Sequence, residues 1–227
     1  MPVVDIWQGE LIADNDLIAV YTAMLDQQEL TRAAGFKSAL LRNRFILVRG
    51  LLRTTLASYL AVEPASLHFA KAKYGKPILC DHALYFNLSH SANKLVIAVS
   101  DLENIGIDIE QIKPRNALHE IARRVLSVME FTVWSSLHIS EQLVVFYQLW
   151  TKKEAFVKAV GRGMGIGLDQ CEVDMLANLR FVNIPCQYGH AQDWNIIEFA
   201  VDVGFSAALV VPNVQLEVRA IRLDNNF

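Results

Sequence analysis

Apolar residues recur at helical spacing between residues 37 and 60. They lie three or four positions apart, at Leu41, Phe45, Val48, Leu52, Leu56 and Tyr59. This spacing predicts one long amphipathic helix that ends before Pro64. Arg42, Arg49 and Arg53 flank the apolar stripe, so we expect their stems to pack on the core while their charges face a cleft.

Shorter apolar segments after this helix predict strands at 67–70, 83–88, 94–100 and 104–110. Residues 74–77 and 89–91 are predicted to be turns between them. The pattern then predicts helices at 117–125, 129–138 and 141–160, and strands at 170–174, 180–187, 194–202 and 205–211. Ser127 and Glu130 have the spacing of a capping box, and Gly161 and Gly163 should end the last helix.

The order of these elements favours an α+β protein built from two packed halves. Each half is predicted to have its helices first and its strands after them, with a seam near residues 101–104. We therefore expect an N-terminal half, 1–103, and a C-terminal half, 104–227.

Composition limits where the protein can act. Its longest apolar stretches are far shorter than the ~20 residues that span a bilayer, and the first residues include Asp5 but no early Lys or Arg, unlike a signal peptide. Cys80, Cys171 and Cys186 are widely spaced, which favours free thiols in a reducing compartment. We expect a cytoplasmic protein that does not bind a membrane.

Charge is distributed unevenly. The net charge of −3 argues against general binding of nucleic acid. Residues 31–62 nevertheless hold six basic side chains and no acidic one: Arg32, Lys37, Arg42, Arg44, Arg49 and Arg53. Such a block suggests a small polyanionic ligand, and the alternative is a solvated helix face.

Two carboxylates lie on one face of a predicted strand. Asp108 and Glu110 are two residues apart, so they point to the same side while the neighbouring isoleucines enter the core. Adjacent carboxylates repel each other unless a cation lies between them, and Mg²⁺ prefers such oxygen ligands together with substrate phosphates. The alternative is an edge strand with a solvated acidic face.

A second charged pair lies on the helix predicted at 141–160. Glu154 and Lys158 are one turn apart on one face, which is equally typical of a surface salt bridge. Gly161, Gly163 and Gly165 follow, but this is not a P-loop because the helix precedes the glycines.

Other catalytic centres find no support. His90 lies between serines with no acidic neighbour, and there is no nucleophile elbow, so a hydrolase triad is unsupported. The six histidines show no zinc-binding spacing. One hypothesis uses the basic block, the strand carboxylates and the helix pair together: a divalent metal that bridges a pyrophosphate.

These motifs, taken in order, resemble the 4′-phosphopantetheinyl transferases. The resemblance is to the large pseudo-dimeric type that activates peptide, polyketide and polyunsaturated-fatty-acid synthases, and it runs from about residue 25 to residue 211. The matching motifs are Glu29…Arg32…Phe36…Arg42…Arg44…Leu52-Arg53, Tyr74-Gly75-Lys76-Pro77, Phe86-Asn87-Leu88-Ser89-His90-Ser91, Gly106-Ile107-Asp108-Ile109-Glu110 and Trp150-Thr151-Lys152-Lys153-Glu154-Ala155-Phe156-Val157-Lys158.

The resemblance implies a reaction. Phosphopantetheine would pass from coenzyme A to a serine of an apo carrier protein, releasing adenosine 3′,5′-bisphosphate. It implies two halves in a pseudo-two-fold arrangement with the active site at the seam. Since fused halves already form the cleft, a monomer is expected.

The resemblance also implies roles for individual residues. Asp108, Glu110 and Glu154 would hold Mg²⁺, and Lys158 would stabilise or protonate the leaving group at the pyrophosphate. The serine would lose its proton to Glu154 or to a metal-bound water. The remaining contacts with coenzyme A would come from Arg44 and His90 at the 3′-phosphate, Ser89 near the pyrophosphate, Gly75, Lys76 and Pro77 at the adenine, and Arg32 as a further phosphate contact.

The carrier's docking surface is predicted separately. Carrier proteins are generally acidic around the modified serine, and residues 112–124 combine basic with apolar side chains, among them Arg123 and Arg124. The alternative for this segment is an ordinary exposed helix. For the whole chain, the alternatives are a metal-dependent nucleotidyltransferase or pyrophosphohydrolase, and a non-catalytic relative that only binds the carrier or nucleotide.

Overall fold

The computed structural model describes residues 1–175 and 180–223. Along the chain its helices and strands are β1 (Val3–Glu10), α1 (Asn15–Met24), α2 (Gln27–Ala34), α3 (Ala39–Leu60), β2 (Phe69–Lys71), β3 (Pro77–Leu79), β4 (Tyr85–Ser91), β5 (Lys94–Ser100), β6 (Gly106–Gln111), α4 (Leu118–Val125), α5 (Val128–Ser136), α6 (Ile139–Ala159), β7 (Glu172–Val173), β8 (Phe181–Asn183), β9 (Trp194–Ile197), β10 (Phe205–Pro212) and β11 (Glu217–Arg222). This mixture of helices and separate small sheets confirms the predicted α+β class.

Two sheets form the centre of the molecule, one with the strand order β11-β1-β5-β4 and one with the order β6-β10-β9. Apolar side chains from both sheets share one core, which includes Ile6 on β1, Ala98 on β5, Ile107 on β6 and Leu209 on β10. The sheets therefore pack against each other through their inner faces.

The last strand joins the first sheet. β11 runs parallel to β1, whereas β5 is antiparallel both to β1 and to β4. Asp5 on β1 accepts two hydrogen bonds from Arg219 on β11, at 2.6 and 2.8 Å, and a third at 2.5 Å from the hydroxyl of Tyr59. This ion pair fixes the end of the described chain beside its beginning.

The long helix α3 confirms the helix predicted at 37–60, but not its single apolar stripe. Nearly every residue between Ile46 and Ala57 is buried, whereas Leu41 near the helix start is half exposed. α3 is covered on all sides in its middle, by α1, α2 and the β5 sheet. A helix that is buried all round carries no amphipathic signal in that region.

Helix α6 crosses β6 at very short range. A Cβ atom on Gly106 would lie 2.0 Å from the carbonyl oxygen of Ala155 and 2.3 Å from the nitrogen of Ala159. Only glycine fits this crossing, because any side chain would push the helix off the strand. The close approach sets Glu154 and Lys158 of α6 beside Asp108 of β6.

Three predictions about local structure are wrong. The first half does not begin with a helix, because β1 precedes α1, and strand β11 was not predicted. Residues 89–91 are not a turn but the end of β4, and the chain reverses after them at Ala92, which has a φ of 50°. The strand predicted at 180–187 is confined to β8, with a short 3₁₀ turn, Cys186–Tyr188, after it.

Throughout residues 1–175 and 180–223, no helix combines the length and the apolar character that a membrane span requires.

Candidate active site

A cavity of about 540 Å³ opens between α3 and α6. Seven of the residues predicted for the site line it: Arg44, Gly75, Lys76, Pro77, His90, Glu154 and Lys158. The other three lie next to this lining, Ser89 on β4 and Asp108 and Glu110 on β6. Arg32 lines the cavity as well. Side chains as far apart in the sequence as Arg32 and Lys158 thus meet at one cavity.

Serines of β4 hold the carboxylates of β6. The hydroxyl of Ser89 donates to Oδ1 of Asp108 at 2.7 Å, and the hydroxyl of Ser91 donates to Oε2 of Glu110 at 2.7 Å. Both strands have a side-chain period of two, so alternate residues of one strand meet alternate residues of the other. Asp108 and Glu110 are therefore oriented side chains and not a loose acidic face.

Asn87 extends this contact by one step along β4. Its side-chain Oδ1 accepts a hydrogen bond from the backbone nitrogen of Ile107 at 2.9 Å. The amide thereby satisfies a buried donor of β6 that would otherwise lose a hydrogen bond. Neither Asn87 nor Ser91 was predicted as a site residue. On a strand, however, their spacing of two from Ser89 places all three side chains on one face.

Lys158 pairs with Asp108 and not with Glu154. Its Nζ lies 2.7 Å from Oδ1 of Asp108 and 3.2 Å from the carbonyl oxygen of Ile107. The surface salt bridge considered between Glu154 and Lys158 is therefore not the arrangement found. Asp108 Oδ2 and Glu154 Oε1 are both buried, and neither has a hydrogen-bond partner among the described residues.

Burial above all, together with the charges of Asp108 and Glu110, raises the pKa of Glu154 to about 7, although the charge of Lys158 acts in the opposite direction. A carboxyl group in a poorly hydrated place beside other carboxylates holds its proton more tightly. Near neutral pH the group is divided between its acid and its carboxylate form. Such a pKa, together with a position in a cavity, is typical of a functional group.

The donor chemistry fits a hard divalent cation. The carboxylates of Asp108, Glu110 and Glu154 lie close enough to influence one another. Asp108 and Glu154 each have one buried oxygen without a hydrogen-bond donor among the described residues. Within the described residues, however, no three such side chains already form a closed metal-binding cluster. Asp108, Glu110 and Glu154 are the side chains here that could hold a cation, since carboxylate oxygens are the ligands that Mg²⁺ prefers.

The opposite part of the cavity is cationic. A guanidinium nitrogen of Arg44 lies 3.1 Å from Nδ1 of His90, and Nε of Arg44 is buried without a hydrogen-bond partner in the described chain. Burial above all, together with the charges of Arg44 and Lys158, lowers the pKa of His90 to about 4. His90 is therefore neutral at pH 7 and accepts a hydrogen bond from Arg44. An anion placed here would accept hydrogen bonds from the Arg44 guanidinium and from the other ring nitrogen of His90.

Two of the six residues in the basic block, Arg49 and Arg53, form ion pairs within the protein. Arg53 is fully buried, and its guanidinium bonds Glu29 at 2.8 Å and Asp26 at 3.1 Å, while Arg49 also pairs with Glu29. The expectation that Arg53 presents its charge to a cleft is wrong, because buried Glu29 of α2 and the partly exposed Asp26 that caps this helix neutralise it. Arg44 and Arg32 remain for a ligand at the cavity.

The capping box predicted from Ser127 and Glu130 is confirmed, and Glu130 does more than cap the helix. Its carboxylate accepts a bond at 2.5 Å from Nζ of Lys153 in the interior, and Lys153 also bonds the carbonyl oxygens of Val125 and Leu168 at 2.9 Å. This buried pair fixes α6 against α5 immediately beside Glu154. An ion pair of this kind is costly to break because one charge would remain buried alone.

Two basic residues of the segment predicted for docking, Arg115 and Arg123, lie against aromatic rings. The Arg115 guanidinium donates to the hydroxyl of Tyr147 at 2.9 Å, and its carbon lies 5.3 Å from the ring centre of Trp150. Arg123 lies 5.4 Å from the ring centre of Phe131. These contacts hold the guanidinium groups in place at modest energetic gain. The prediction of a docking surface at 112–124 stays a prediction.

Comparison with known proteins gives consistent results. The model of the 4′-phosphopantetheinyl transferase superfamily matches residues 104–210. The chain is 34% identical over 212 residues to the 4′-phosphopantetheinyl transferase HetI of Nostoc sp., covering 92% of this chain and 87% of that protein. It is 33% identical over 199 residues to the transferase ffp of Bacillus subtilis, covering 82% and 86% of the two chains. With the Bacillus subtilis transferase Sfp it shares 33% identity over 168 residues, covering 74% and 73%.

Proposed function

Since the chain belongs to the 4′-phosphopantetheinyl transferase family of enzymes, we propose that it transfers 4′-phosphopantetheine from coenzyme A to a serine of an apo carrier protein, with Mg²⁺, and releases adenosine 3′,5′-bisphosphate. The relatives are named for the group that they transfer. The donor, the metal and the released product are part of this proposal.

One observation carries the proposal: a single cavity joins an anion-binding end to a carboxylate end through Lys158. Arg44 and His90 form the first end, and Glu154 lies at the second beside Asp108. Lys158 bonds Asp108 and also acts electrostatically on His90, so that it lies between the two ends. Coenzyme A has anionic groups at matching places, a 3′-phosphate on the ribose and a pyrophosphate on the other side of the sugar.

The adenosine end would be bound by the N-terminal elements. Arg44 would donate to the 3′-phosphate, and His90 would take up a proton as a phosphate approaches, because an anion reverses the lowering of its pKa. Gly75, Lys76 and Pro77 line the same cavity and would supply a wall for the adenine. Arg32 lies on the same cavity and is a further phosphate contact in this proposal.

The pyrophosphate end would lie against Asp108, Glu110 and Glu154 with Mg²⁺ between. When bound, Mg²⁺ supplies charge neutralisation and orients the phosphate oxygens. The serine oxygen of the carrier forms a bond to the phosphorus that bears pantetheine, and the bond from that phosphorus to the bridging oxygen breaks. Lys158 stabilises or protonates that leaving oxygen, which departs with adenosine 3′,5′-bisphosphate.

The serine proton must leave as the new bond forms. Glu154 reaches the cavity with an unpartnered oxygen and a pKa of about 7, which suits a group that accepts a proton near neutral pH. As a metal ligand or as a base, Glu154 is needed in its ionised form. The proposal therefore requires Glu154 to be deprotonated before transfer.

The carrier would bind beside the carboxylate end. We propose residues 112–124 as its docking surface, because this segment follows β6 directly and carries Arg123 and Arg124 on a helix that precedes exposed Val128. Positive charge there would attract an acidic carrier and raise its association rate. We also propose that 1–103 and 104–227 act as two halves of a monomer with the cavity at their seam.

Release of adenosine 3′,5′-bisphosphate with and without an apo carrier tests the reaction. We expect release only when coenzyme A, Mg²⁺ and carrier are all present. A metal-dependent pyrophosphohydrolase would split coenzyme A without the carrier, and a non-catalytic binding protein would release nothing under either condition. Asp108→Ala should abolish release while coenzyme A still binds through Arg44 and His90.

A further inference from the structure

The turn that lines the cavity at 74–77 is fastened to α6. Nζ of Lys76 donates to the carbonyl oxygen of Ala159 at 3.3 Å and to that of Ile105 at 2.9 Å. Ala159 is the last residue of α6, and Ile105 immediately precedes β6. One side chain of the β2–β3 hairpin thus reaches both elements that carry the proposed metal ligands.

The physical chemistry of this contact favours a stable fastening. The last carbonyl oxygens of a helix have no partner inside the helix, and a cation there also meets the negative end of the helix dipole. Burial lowers the pKa of Lys76 to about 8, and the charge of Glu103 opposes this shift. An ammonium group that gives up this much hydration is held by its two carbonyl partners.

A second contact joins the same two parts of the chain. The guanidinium carbon of Arg162 lies 4.8 Å from the ring centre of Tyr74. Arg162 stands between Gly161 and Gly163, whose φ angles of 68° and 67° let the chain turn sharply after α6. A Cβ on Gly163 would lie only 3.9 Å from the carbonyl oxygen of Tyr74, so the loop runs directly along the hairpin turn.

The fastened residues are neighbours of the reacting groups. Ala159 follows Lys158, which bonds Asp108, and Glu154 lies one turn earlier on α6. Residues 74–77 line the same cavity as Glu154 and Lys158. The distance between that turn and Lys158 is consequently set by Lys76, through a bond to the residue next to Lys158.

We propose that Lys76 is a positioning residue that clasps the hairpin turn at 74–77 to the C-terminal end of α6, with the stack of Arg162 on Tyr74 as its second contact. The clasp holds the wall that faces the nucleotide at a fixed place relative to Lys158 and Glu154. The effect of the clasp on kcat rests on the proposed function. Its effect on hydrogen exchange in the protein without ligand does not.

This role differs from that of a direct ligand. The ammonium of Lys76 already has two carbonyl partners, so its charge is committed to the protein, and the turn can present its backbone and Pro77 to a ligand. The turn itself is held within the hairpin by bonds from the nitrogen of Ala72 to the carbonyl oxygen of Lys76 and from the nitrogen of Gly75 to that of Ala72. Loss of the ammonium would leave the turn formed but unfastened from α6.

Three substitutions test the clasp. Lys76→Met keeps the length of the side chain and removes its donors, and Lys76→Arg keeps donors and charge. Lys71→Met removes an exposed lysine of the same hairpin and is the matched control. Arg162→Ala removes the second contact from an exposed position, so it tests the clasp even if Lys76→Met folds poorly.

The first measurement is hydrogen exchange on the full chain without any ligand. Lys76→Met and Arg162→Ala should accelerate exchange in the last turn of α6 and in the hairpin turn, while Lys71→Met leaves both as in the wild type. Unchanged exchange in Lys76→Met would overturn the clasp. This measurement decides the proposal even if the wild-type protein transfers nothing, which would be a failure of the proposed function alone.

The second measurement separates positioning from ligand binding. Because small misplacements of reacting groups are costly, kcat should fall about tenfold or more in Lys76→Met and recover in part in Lys76→Arg. The Kd of adenosine 3′,5′-bisphosphate should stay within about threefold of the wild type, a difference below 1 kcal/mol. A tenfold weaker Kd with an unchanged kcat would instead make Lys76 a direct ligand and overturn the proposal.

Discussion

Nζ of Lys158, in the last turn of α6, lies 2.7 Å from Oδ1 of Asp108 in the middle of β6. The same oxygen of Asp108 accepts a hydrogen bond from Ser89 on β4, while its Oδ2 has no partner in the described chain. One carboxylate is thus oriented by two donors and keeps its second oxygen free for a cation. The glycine at position 106 makes this relationship possible by letting α6 lie directly on β6.

Removal of the Lys158 ammonium should affect the chemical step. We expect Lys158→Gln to lower kcat by about a hundredfold or more, since one well-placed donor at a developing charge is worth that much. The KM for coenzyme A should change less, because Arg44 and His90 still bind the nucleotide.

Lys152→Gln is the control for Lys158→Gln. Lys152 lies on the same helix but pairs with Glu198 at 3.0 Å and is not part of the cavity lining. Steady-state kinetics should show a near-normal kcat per folded molecule for this variant. An equal loss of kcat in both variants would contradict a specific role of Lys158.

The pKa of Glu154 predicts how metal affinity depends on pH. Burial raises this pKa to about 7 in the metal-free protein, and a bound cation requires the carboxylate form. The ionised fraction grows from about 0.1 at pH 6 to about 0.9 at pH 8, so the affinity for Mg²⁺ should rise about tenfold over that range. Calorimetric titration at both pH values measures it.

A matched variant shows whether Glu154 causes this dependence. Glu154→Gln cannot ionise, so its weaker metal affinity should be the same at pH 6 and pH 8. The folded protein loses stability as the pH rises from about 4.5 to about 7, because the raised pKa of Glu154 disfavours its ionised form in the folded state. Glu154→Gln avoids this loss, so it should also raise the Tm of the metal-free protein at pH 8. A wild-type affinity that is flat with pH would show that Glu154 is ionised throughout.

His90 should gain a proton when a phosphate binds. In the free protein burial and the charges of Arg44 and Lys158 lower its pKa to about 4. NMR of the imidazole should therefore show a neutral ring at pH 6, and addition of adenosine 3′,5′-bisphosphate should produce the protonated form. A ring that titrates near its ordinary pKa of about 6.5 without ligand would contradict the desolvated site.

Two arginines of the basic block should behave in opposite ways. Arg53→Met leaves the buried Glu29 carboxylate with less positive charge beside it, which should lower the unfolding free energy by about 3 kcal/mol or more. Arg44→Met should leave stability nearly unchanged and raise the KM for coenzyme A. Urea denaturation and steady-state kinetics on both variants check this contrast. A loss of stability in Arg44→Met with a normal KM for coenzyme A would show that Arg44 is structural and does not bind the ligand.

The sequence distinguished these two arginines poorly, for a physical reason. Both lie on the basic side of one helix, and their difference comes from α2, which brings Glu29 and Asp26 against Arg53 but not against Arg44. Such a neutralisation depends on the packing of two helices. Local periodicity does not contain that information.

Long-range strand pairing was hidden in the same way. β5 was predicted with its observed bounds because its apolar run is continuous, whereas 89–91 was taken for a turn because serine and histidine favour turns. In the protein these polar side chains lie on a strand because Asp108 and Glu110 of β6 accept their hydrogen bonds. The candidate site residues themselves were predictable from motif spacing, and their mutual contacts were not.

Charge reversal tests the proposed docking surface. Arg123→Glu with Arg124→Glu should raise the KM for the carrier about tenfold at low salt, because like charges then face each other, and should leave coenzyme A affinity as it was. Lys71→Glu, at the exposed end of β2, is the control for charge reversal elsewhere on the surface, with half the change of net charge. An unchanged KM for the carrier would remove residues 112–124 from the docking surface.

Intact-protein mass spectrometry of an apo carrier protein tests the central claim most directly. The carrier is incubated with this protein, coenzyme A and Mg²⁺, in parallel with a chelator and with the Asp108→Ala variant. We expect the carrier to gain the mass of one phosphopantetheine group with the wild type and Mg²⁺, and in neither parallel reaction. Peptide, polyketide and fatty-acid carriers that all keep their original mass, although coenzyme A binds, would contradict it.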